Sequence, residues 1–277
     1  MFSPTGEIVE AARAAGIGVG AFNVITVEHA EAIVAGAEAA GRPVVLQISQ
    51  NAVKFHGGRL GPIAAAARRV AELSAVAVGL HLDHVESDEL FDLAAAHGFG
   101  SAMYDASRLP FADNVAKTGD AVRRGHAAGI WVESELGEVG GKDGAHAPGA
   151  RTDPAEAAAY VAATGVDALA VAVGSSHAMT TRTAALDHAL IARLTAAVPV
   201  PLVLHGSSGL PDGELRAAVR GGLVKINIGT ALNVAFTDAI RATLDDPAVV
   251  DPRKYLTAAR AAMADTVTRS LRVVTEL

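Results

Sequence analysis

Apolar residues along this chain follow two alternating rhythms. Short runs of β-branched, Leu and Ala residues, four to six positions long, give way to longer stretches in which apolar side chains recur every three or four positions. The first rhythm predicts buried strands, the second amphipathic helices. Strands are expected over 19–23, 44–48, 77–81, 101–104, 130–133, 168–173, 202–205 and 225–228. Helical spacing covers 28–40, 63–73, 88–97, 111–128 and 154–164, with further helices from near Asp212 and from about Ala231. Asp153 before Pro154 is a helix N-cap with Pro at the first helical position. Gly41, Gly98, Gly129, Gly165 and the Gly221–Gly222 pair stand where helices should stop.

Strictly alternating strands and helices point to βαβ units around a parallel sheet, and eight strands are the number that closes a barrel. An open doubly wound sheet would carry a glycine-rich phosphate turn after its first strand; here that strand ends in Phe22-Asn23. The expected fold is α/β, a (β/α)8 TIM barrel formed by one domain over residues 1–277. An extra C-terminal helix begins near Lys254, after a Pro-flanked turn over 246–253. The longest irregular stretch, 137–152, is rich in Gly, and such a loop inside a compact domain is usually functional.

Composition sharpens this picture. Hydrophobic residues make up 51% of the 277 and aromatics only 4%, so the interior must be built of Ala, Val, Leu and Ile, as buried parallel strands require. A net charge of −7 argues against a nucleic-acid partner. The chain has no cysteine, so any transition metal must be held by His, Asp or Glu. The opening residues lack a signal-peptide core, and the apolar region over 62–80 is broken by Arg68, Arg69 and Glu72; a cytoplasmic protein outside the membrane is expected.

In a barrel of this kind, chemistry collects where the strands end at their C-termini. The expected ends carry Asn23; Ser49, Gln50 and Asn51; His81, Asp83 and His84; Glu133 and Glu135; Gly174 to His177; His205 to Ser208; and Asn227 to Thr230. A lone His at a strand end is more often a satisfied polar residue than a ligand. Three of them, His84, His177 and His205, converging on one mouth match a catalytic zinc site of three imidazoles with an open fourth position. Asp83 beside His84 is placed to exchange a proton with whatever the metal polarises. His81 shares the inward parity of Asp83 and is expected one layer lower, as a hydrogen-bond partner to the ligand shell. Gly206, Ser207 and Ser208 precede one helix and Asn227–Thr230 another, and backbone N–H groups at such turns bind phosphate.

The segments AFN at 21–23, HLDH at 81–84, SAMYDAS at 101–107, VESELGEVGG at 132–141, TGVDALAVAVGSSH at 164–177, PLVLHGSSGLP at 201–211, KINIGT at 225–230 and DPRKYL at 251–256 together resemble the class II fructose- and tagatose-bisphosphate aldolase family, in order and over nearly the whole chain. The resemblance implies a zinc-dependent aldolase. It would cleave a ketose bisphosphate, or a related sugar phosphate, reversibly to dihydroxyacetone phosphate and an aldehyde through a metal-stabilised enediolate. It implies Zn²⁺ on His84, His177 and His205, with Glu135 as the alternative ligand, and Asp83 as proton donor to the aldehyde oxygen. Asn23, Ser49, Gly174, Gly206, Ser208, Asn227, Gly229 and Thr230 would meet the substrate and its phosphate. A monovalent cation, Na⁺ or K⁺, would sit on backbone carbonyls around Gly174 and Gly206. Arg253 resembles a residue that reaches a neighbouring subunit's substrate phosphate, which implies a homodimer or homotetramer.

The chain departs from the family pattern twice. Relatives carry a Glu-rich segment after the paired glycines at 140–141, where one Glu removes the carbon-bound proton; here Asp143 is the nearest carboxylate. Ala178 stands where many relatives have Gly. Three other readings remain open: a Schiff-base aldolase using Lys225, which of the five lysines alone lies on an expected strand; a metal-dependent sugar-phosphate isomerase or epimerase; and a non-catalytic sugar-phosphate-binding protein.

Overall fold

A computed structural model of the chain describes residues 1–136, 151–176 and 179–277. Among them the elements run α1 (Thr5–Ala14), β1 (Val19–Asn23), α2 (Val27–Ala40), β2 (Val44–Ser49), α3 (Gln50–Phe55), α4 (Leu60–Leu73), β3 (Val78–Val85), α5 (Asp88–Asp92), β4 (Ser101–Tyr104), α6 (Phe111–Ala127), β5 (Trp131–Glu135), α7 (Pro154–Thr164), β6 (Ala168–Ala170), α8 (His188–Ala197), β7 (Leu202–Leu204), α9 (Asp212–Arg220), β8 (Leu223–Ile228), α10 (Thr230–Thr243) and α11 (Pro252–Thr275). All eight strands pair in parallel in sequence order, and β8 returns to β1 through Ala21 opposite Asn227, closing the barrel.

The two-residue period of each strand sorts its side chains. Phe22, Leu46, Ile48, Leu80 and Leu82 turn outward into the layer shared with the helices, where Ile33, Ile63 and Tyr160 are also buried. Val19, Ala21 and Val45 turn inward at the N-terminal end, where Ile8, Val9 and Ala12 of α1 close the barrel floor. Above that plug the interior becomes polar: Gln47, His81, Glu133 and Lys225 are all essentially fully buried. α11 lies outside the barrel against α2 and α10. Its approach to α2 depends on Gly36, where a Cβ would stand 2.5 Å from the Ala264 carbonyl oxygen.

Two expected boundaries move for visible reasons. β6 stops at Ala170 rather than 173 because Ala172 pairs with Thr152 instead: its carbonyl accepts from Thr152 N at 3.0 Å, and its N–H donates to Thr152 Oγ1 at 2.8 Å. The helix expected over 88–97 divides into α5 and a single 3-10 turn, Ala95–His97, which ends at Gly98 with φ of 79° before the chain enters β4.

Candidate active site

A cavity of about 460 Å³ opens at the C-terminal ends of the strands. One wall is the turn after β7 and the start of α10, with Gly206, Ser208, Asn227, Gly229 and Thr230. The other carries Ser49, Asn51 and Lys54 from the β2–α3 junction and Arg108 from the loop after β4. Asn23, Asp83 and His84 lie between them.

Asp83 and His84 are neighbours on β3, and a regular strand would send them to opposite faces. The register between β3 and β4 shifts between Leu82 and Val85. At the same place His84 takes φ of 50°, the one positive-φ non-glycine among the described residues. This bulge re-aims one side chain so that both enter the cavity, a recognised use of irregularity at functional sites. His84 Nδ1 is then held by Asp105 Oδ2 at 2.9 Å, leaving Nε2 on the ring's other edge. Its ring meets that of His205 edge to face, with centroids 4.7 Å apart.

His205 follows β7 and is fully buried. Its Nε2 donates to Glu133 Oε1 at 3.1 Å, and its Nδ1 lies 3.5 Å from Glu135 Oε2. One ligand atom each from Asp83, His84 and His205 all lie within 4.8 Å of one another. Each imidazole is thus oriented by a carboxylate on one nitrogen, His84 by Asp105 and His205 by Glu133, the usual arrangement of metal-binding histidines. Burial pulls the His205 pKa down against the opposing hydrogen bond from Glu133, so the ring is kept neutral, the form that binds metal. The donor set is nitrogen and oxygen without thiolate, and it fits Zn²⁺.

Burial would push the Asp83 carboxyl upward, but His84, His205 and Lys225 outweigh it and hold the group below the ordinary carboxylate range. Asp83 Oδ1 is buried without a hydrogen-bond partner among the described residues, while Oδ2 accepts a long bond from Asn23 Nδ2 at 3.5 Å. Gln47 Nε2 fixes Asn23 in turn, donating to its Oδ1 at 3.1 Å. The carboxylate is therefore ionised, with one oxygen held by Asn23 and the other buried and without a hydrogen-bond partner among the described residues.

Gly206 takes φ of 68°, and a Cβ there would stand 2.6 Å from the backbone of Ser176. Only glycine lets the β7 turn pass so close to the segment that leads to His177. Ser208 Oγ accepts from Ala231 N at 3.1 Å and Ser207 Oγ donates to Asn227 O at 2.6 Å, so the two backbone turns are stitched into one wall. The N-terminus of the fourteen-residue α10 opens at this wall, where a phosphate is favoured. Ser49 Oγ accepts from Ala52 N at 3.2 Å and starts α3.

Of the other residues singled out in the sequence, Glu135 is buried beside His205. Gly174 does not line the cavity; it packs against Ala185 and Arg151. Arg253 is 89% exposed and pairs through Nη2 with Asp251 Oδ2 at 2.6 Å at the start of α11, so within its own chain it does not reach the cavity. His177 and Asp143 lie outside the described residues, as does Ala178. His81 is buried as expected, but its Nδ1 engages Ser101 Oγ at 2.8 Å and its Nε2 stands 3.8 Å from Glu133. Burial, then the nearby Lys225, take its pKa down to about 3, so it is neutral. Lys225 points inward, as its parity implied, but it is buried below the mouth with Nζ 2.8 Å from Glu133 Oε2. An ammonium held in an ion pair is a poor imine-forming nucleophile.

Sequence reasoning missed Asp105, Lys54 and Arg108. Asp105 sits in the SAMYDAS segment, and its oxygen-rich neighbourhood was visible there. Lys54 is brought in only by the short helix α3, and Arg108 only by the course of a loop.

A family model described as fructose-bisphosphate aldolase class-II matches residues 3–276. The chain belongs to this family. A fructose-bisphosphate aldolase of Thermus caldophilus is 38% identical over 94% of both chains. One of Streptococcus pyogenes serotype M1 is 37% identical over 90% of this chain and 89% of its own length. Among solved structures, the YdjI aldolase of Escherichia coli K12 superposes with a TM-score of 0.87 at 31% identity, covering 99% of this chain and 97% of its own. A putative fructose-1,6-biphosphate aldolase from Coccidioides immitis gives 0.87 at 26% identity, covering 98% and 96%. The chain is therefore an enzyme of the lyase class, an aldolase, and the isomerase and sensor readings are not favoured.

Proposed function

We propose that this aldolase reversibly cleaves a ketose bisphosphate, or a closely related ketose phosphate, to dihydroxyacetone phosphate and an aldehyde. The observation that carries the reading is the meeting of the cavity-lining Asp83 and His84 with the buried His205, in a cavity whose wall is a phosphate-type backbone turn. His84 and His205, with His177 as third imidazole, would hold Zn²⁺, and Glu135 is the alternative ligand. Bound there, the ion supplies Lewis-acid polarisation of the substrate ketone.

The chain's own groups do the rest. The dihydroxyacetone phosphate moiety lies between Ser49 and the wall of Gly206, Ser208, Asn227, Gly229 and Thr230, its phosphate towards the α10 N-terminus. Asn23 spans the floor beside Asp83. In cleavage the ionised Asp83 accepts the C4 hydroxyl proton, and in condensation it returns that proton to the aldehyde oxygen. Asp143 is assigned the removal of the carbon-bound proton. Carbonyls around Gly174 and Gly206 are the candidate seat of a monovalent cation. A homodimer or homotetramer in the cytoplasm, with Arg253 serving a neighbour's substrate phosphate, completes the reading. Among the described residues no helix is long and apolar enough to cross a membrane.

Product analysis tests this. Zinc-loaded protein given dihydroxyacetone phosphate and glyceraldehyde 3-phosphate should form a ketohexose bisphosphate. Interconversion of the two trioses without a six-carbon product would refute the reading and favour an isomerase.

A further inference from the structure

Beneath the cavity a line of contacts runs from Lys225 to the proposed metal. Lys225 is fully buried, and Nζ lies 2.8 Å from Glu133 Oε2. The other oxygen of Glu133, Oε1, takes the His205 Nε2 bond at 3.1 Å. A carboxylate only accepts, and of the two ring nitrogens only Nε2 is within hydrogen-bond distance of one, Nδ1 standing 3.5 Å from Glu135 Oε2, so the ring proton of neutral His205 sits on Nε2 and Nδ1 keeps its lone pair. The same ammonium donates to Asn227 Oδ1 at 3.0 Å. Lysine has donors and no acceptor, so the Asn227 atom facing it must be oxygen. The amide NH₂ of Asn227, a cavity-lining residue, is thereby left for the substrate side.

We propose that Lys225 is a positioning residue for both halves of the site. Through Glu133 it fixes the His205 tautomer that can ligate zinc, and through Oδ1 it turns the Asn227 amide donors towards the anionic substrate. This rests on the reading of His205 as a zinc ligand. The pair spans β5 and β8, which are not neighbours in the sheet, so the contact crosses the barrel interior and ties together strands that the hydrogen-bond ladder does not. A buried carboxylate deprived of its cation loses the group that holds it in place, and turning away releases its hold on the imidazole.

The test uses Lys225→Met, Glu133→Gln and the double variant in the full chain. Zinc affinity is read by competition with a chromophoric chelator, and the His205 tautomer by ring ¹⁵N shifts of the zinc-free protein. Lys225→Met should bind zinc about ten- to a hundredfold more weakly and show the His205 proton redistributed between its nitrogens. The double variant should bind zinc no more weakly than Glu133→Gln alone, because Lys225 acts through that carboxylate. Zinc affinity within twofold of wild type in Lys225→Met would overturn the proposal. So would weakened zinc binding with an unchanged tautomer, the outcome of a merely structural ion pair. If Lys225→Met fails to fold, the double variant decides against Glu133→Gln: equal affinity upholds the proposal, and a further tenfold loss overturns it. Wild-type protein that binds no zinc would remove the metal reading, and the tautomer measurement would still decide the role of Lys225.

Discussion

Asp83 has one oxygen tethered to Asn23 and the other buried without a hydrogen-bond partner among the described residues, and its carboxyl is held below the ordinary carboxylate range. Asp83→Asn removes the proton acceptor and keeps the shape. Zinc content should be unchanged while turnover falls about 10²- to 10⁴-fold, read by metal analysis and steady-state kinetics. Equal turnover would remove Asp83 from the proton path. Arg108 stands on the wall opposite the phosphate turn, with Glu86 3.9 Å away and both side chains partly exposed. A charge-assisted contact to a second anionic group is worth about 1.5–3 kcal/mol. In condensation, Arg108→Met should therefore raise KM roughly ten- to a hundredfold for a phosphorylated aldehyde and leave an unphosphorylated one unaffected. An equal change for both acceptors would contradict that placement.

At the level of elements, much of the site could be read from strand ends, since a barrel delivers whatever ends a strand to one mouth. Asn23, Asp83, His205 and Asn227 arrive this way. What could not be read is whatever depends on irregular backbone. His84 is expected at the mouth as a strand-end residue, but the β3 bulge that turns it inward beside Asp83 is not legible in HLDH. α1, which closes the floor, makes no chemistry-bearing pattern, so its role appears only in the packing of Ile8, Val9 and Ala12. The β5 end shows a further support: Asn114 Nδ2 donates to the Glu135 and Leu136 carbonyls at 3.1 and 3.3 Å, and Tyr160 OH donates to Asn114 Oδ1 at 2.7 Å. These contacts join α6, α7 and β5, distances that local sequence does not encode. The α2–α11 crossing supplies a stability prediction. Gly36→Ala places a methyl against the Ala264 carbonyl and Val267, so overpacking should cost about 1–3 kcal/mol in denaturant unfolding. A stabilised variant, the usual result of Gly→Ala inside an uncrowded helix, would show that the crossing is looser than described.

Across the whole molecule, the barrel interior is divided by depth. Apolar packing by Val19, Ala21 and Val45 fills the N-terminal end, a buried polar layer of neutral His81 with the Glu133–Lys225 ion pair lies above it, and the reactive cluster sits on that layer. Buried charge adds little net stability when it is paired, so this layer is better understood as a rigid seat for imidazoles that must present the right nitrogen. The fold and the cluster therefore depend on different parts of the same cylinder, and removing a metal should abolish chemistry without unfolding it. The most direct measurement is cleavage of a ketose bisphosphate as zinc is stripped with a chelator and returned. Activity should vanish with the metal and recover at one zinc per chain, with no lysine trapped by borohydride at any stage. Full turnover in metal-free protein, or inactivation by borohydride only when substrate is present, would contradict the account.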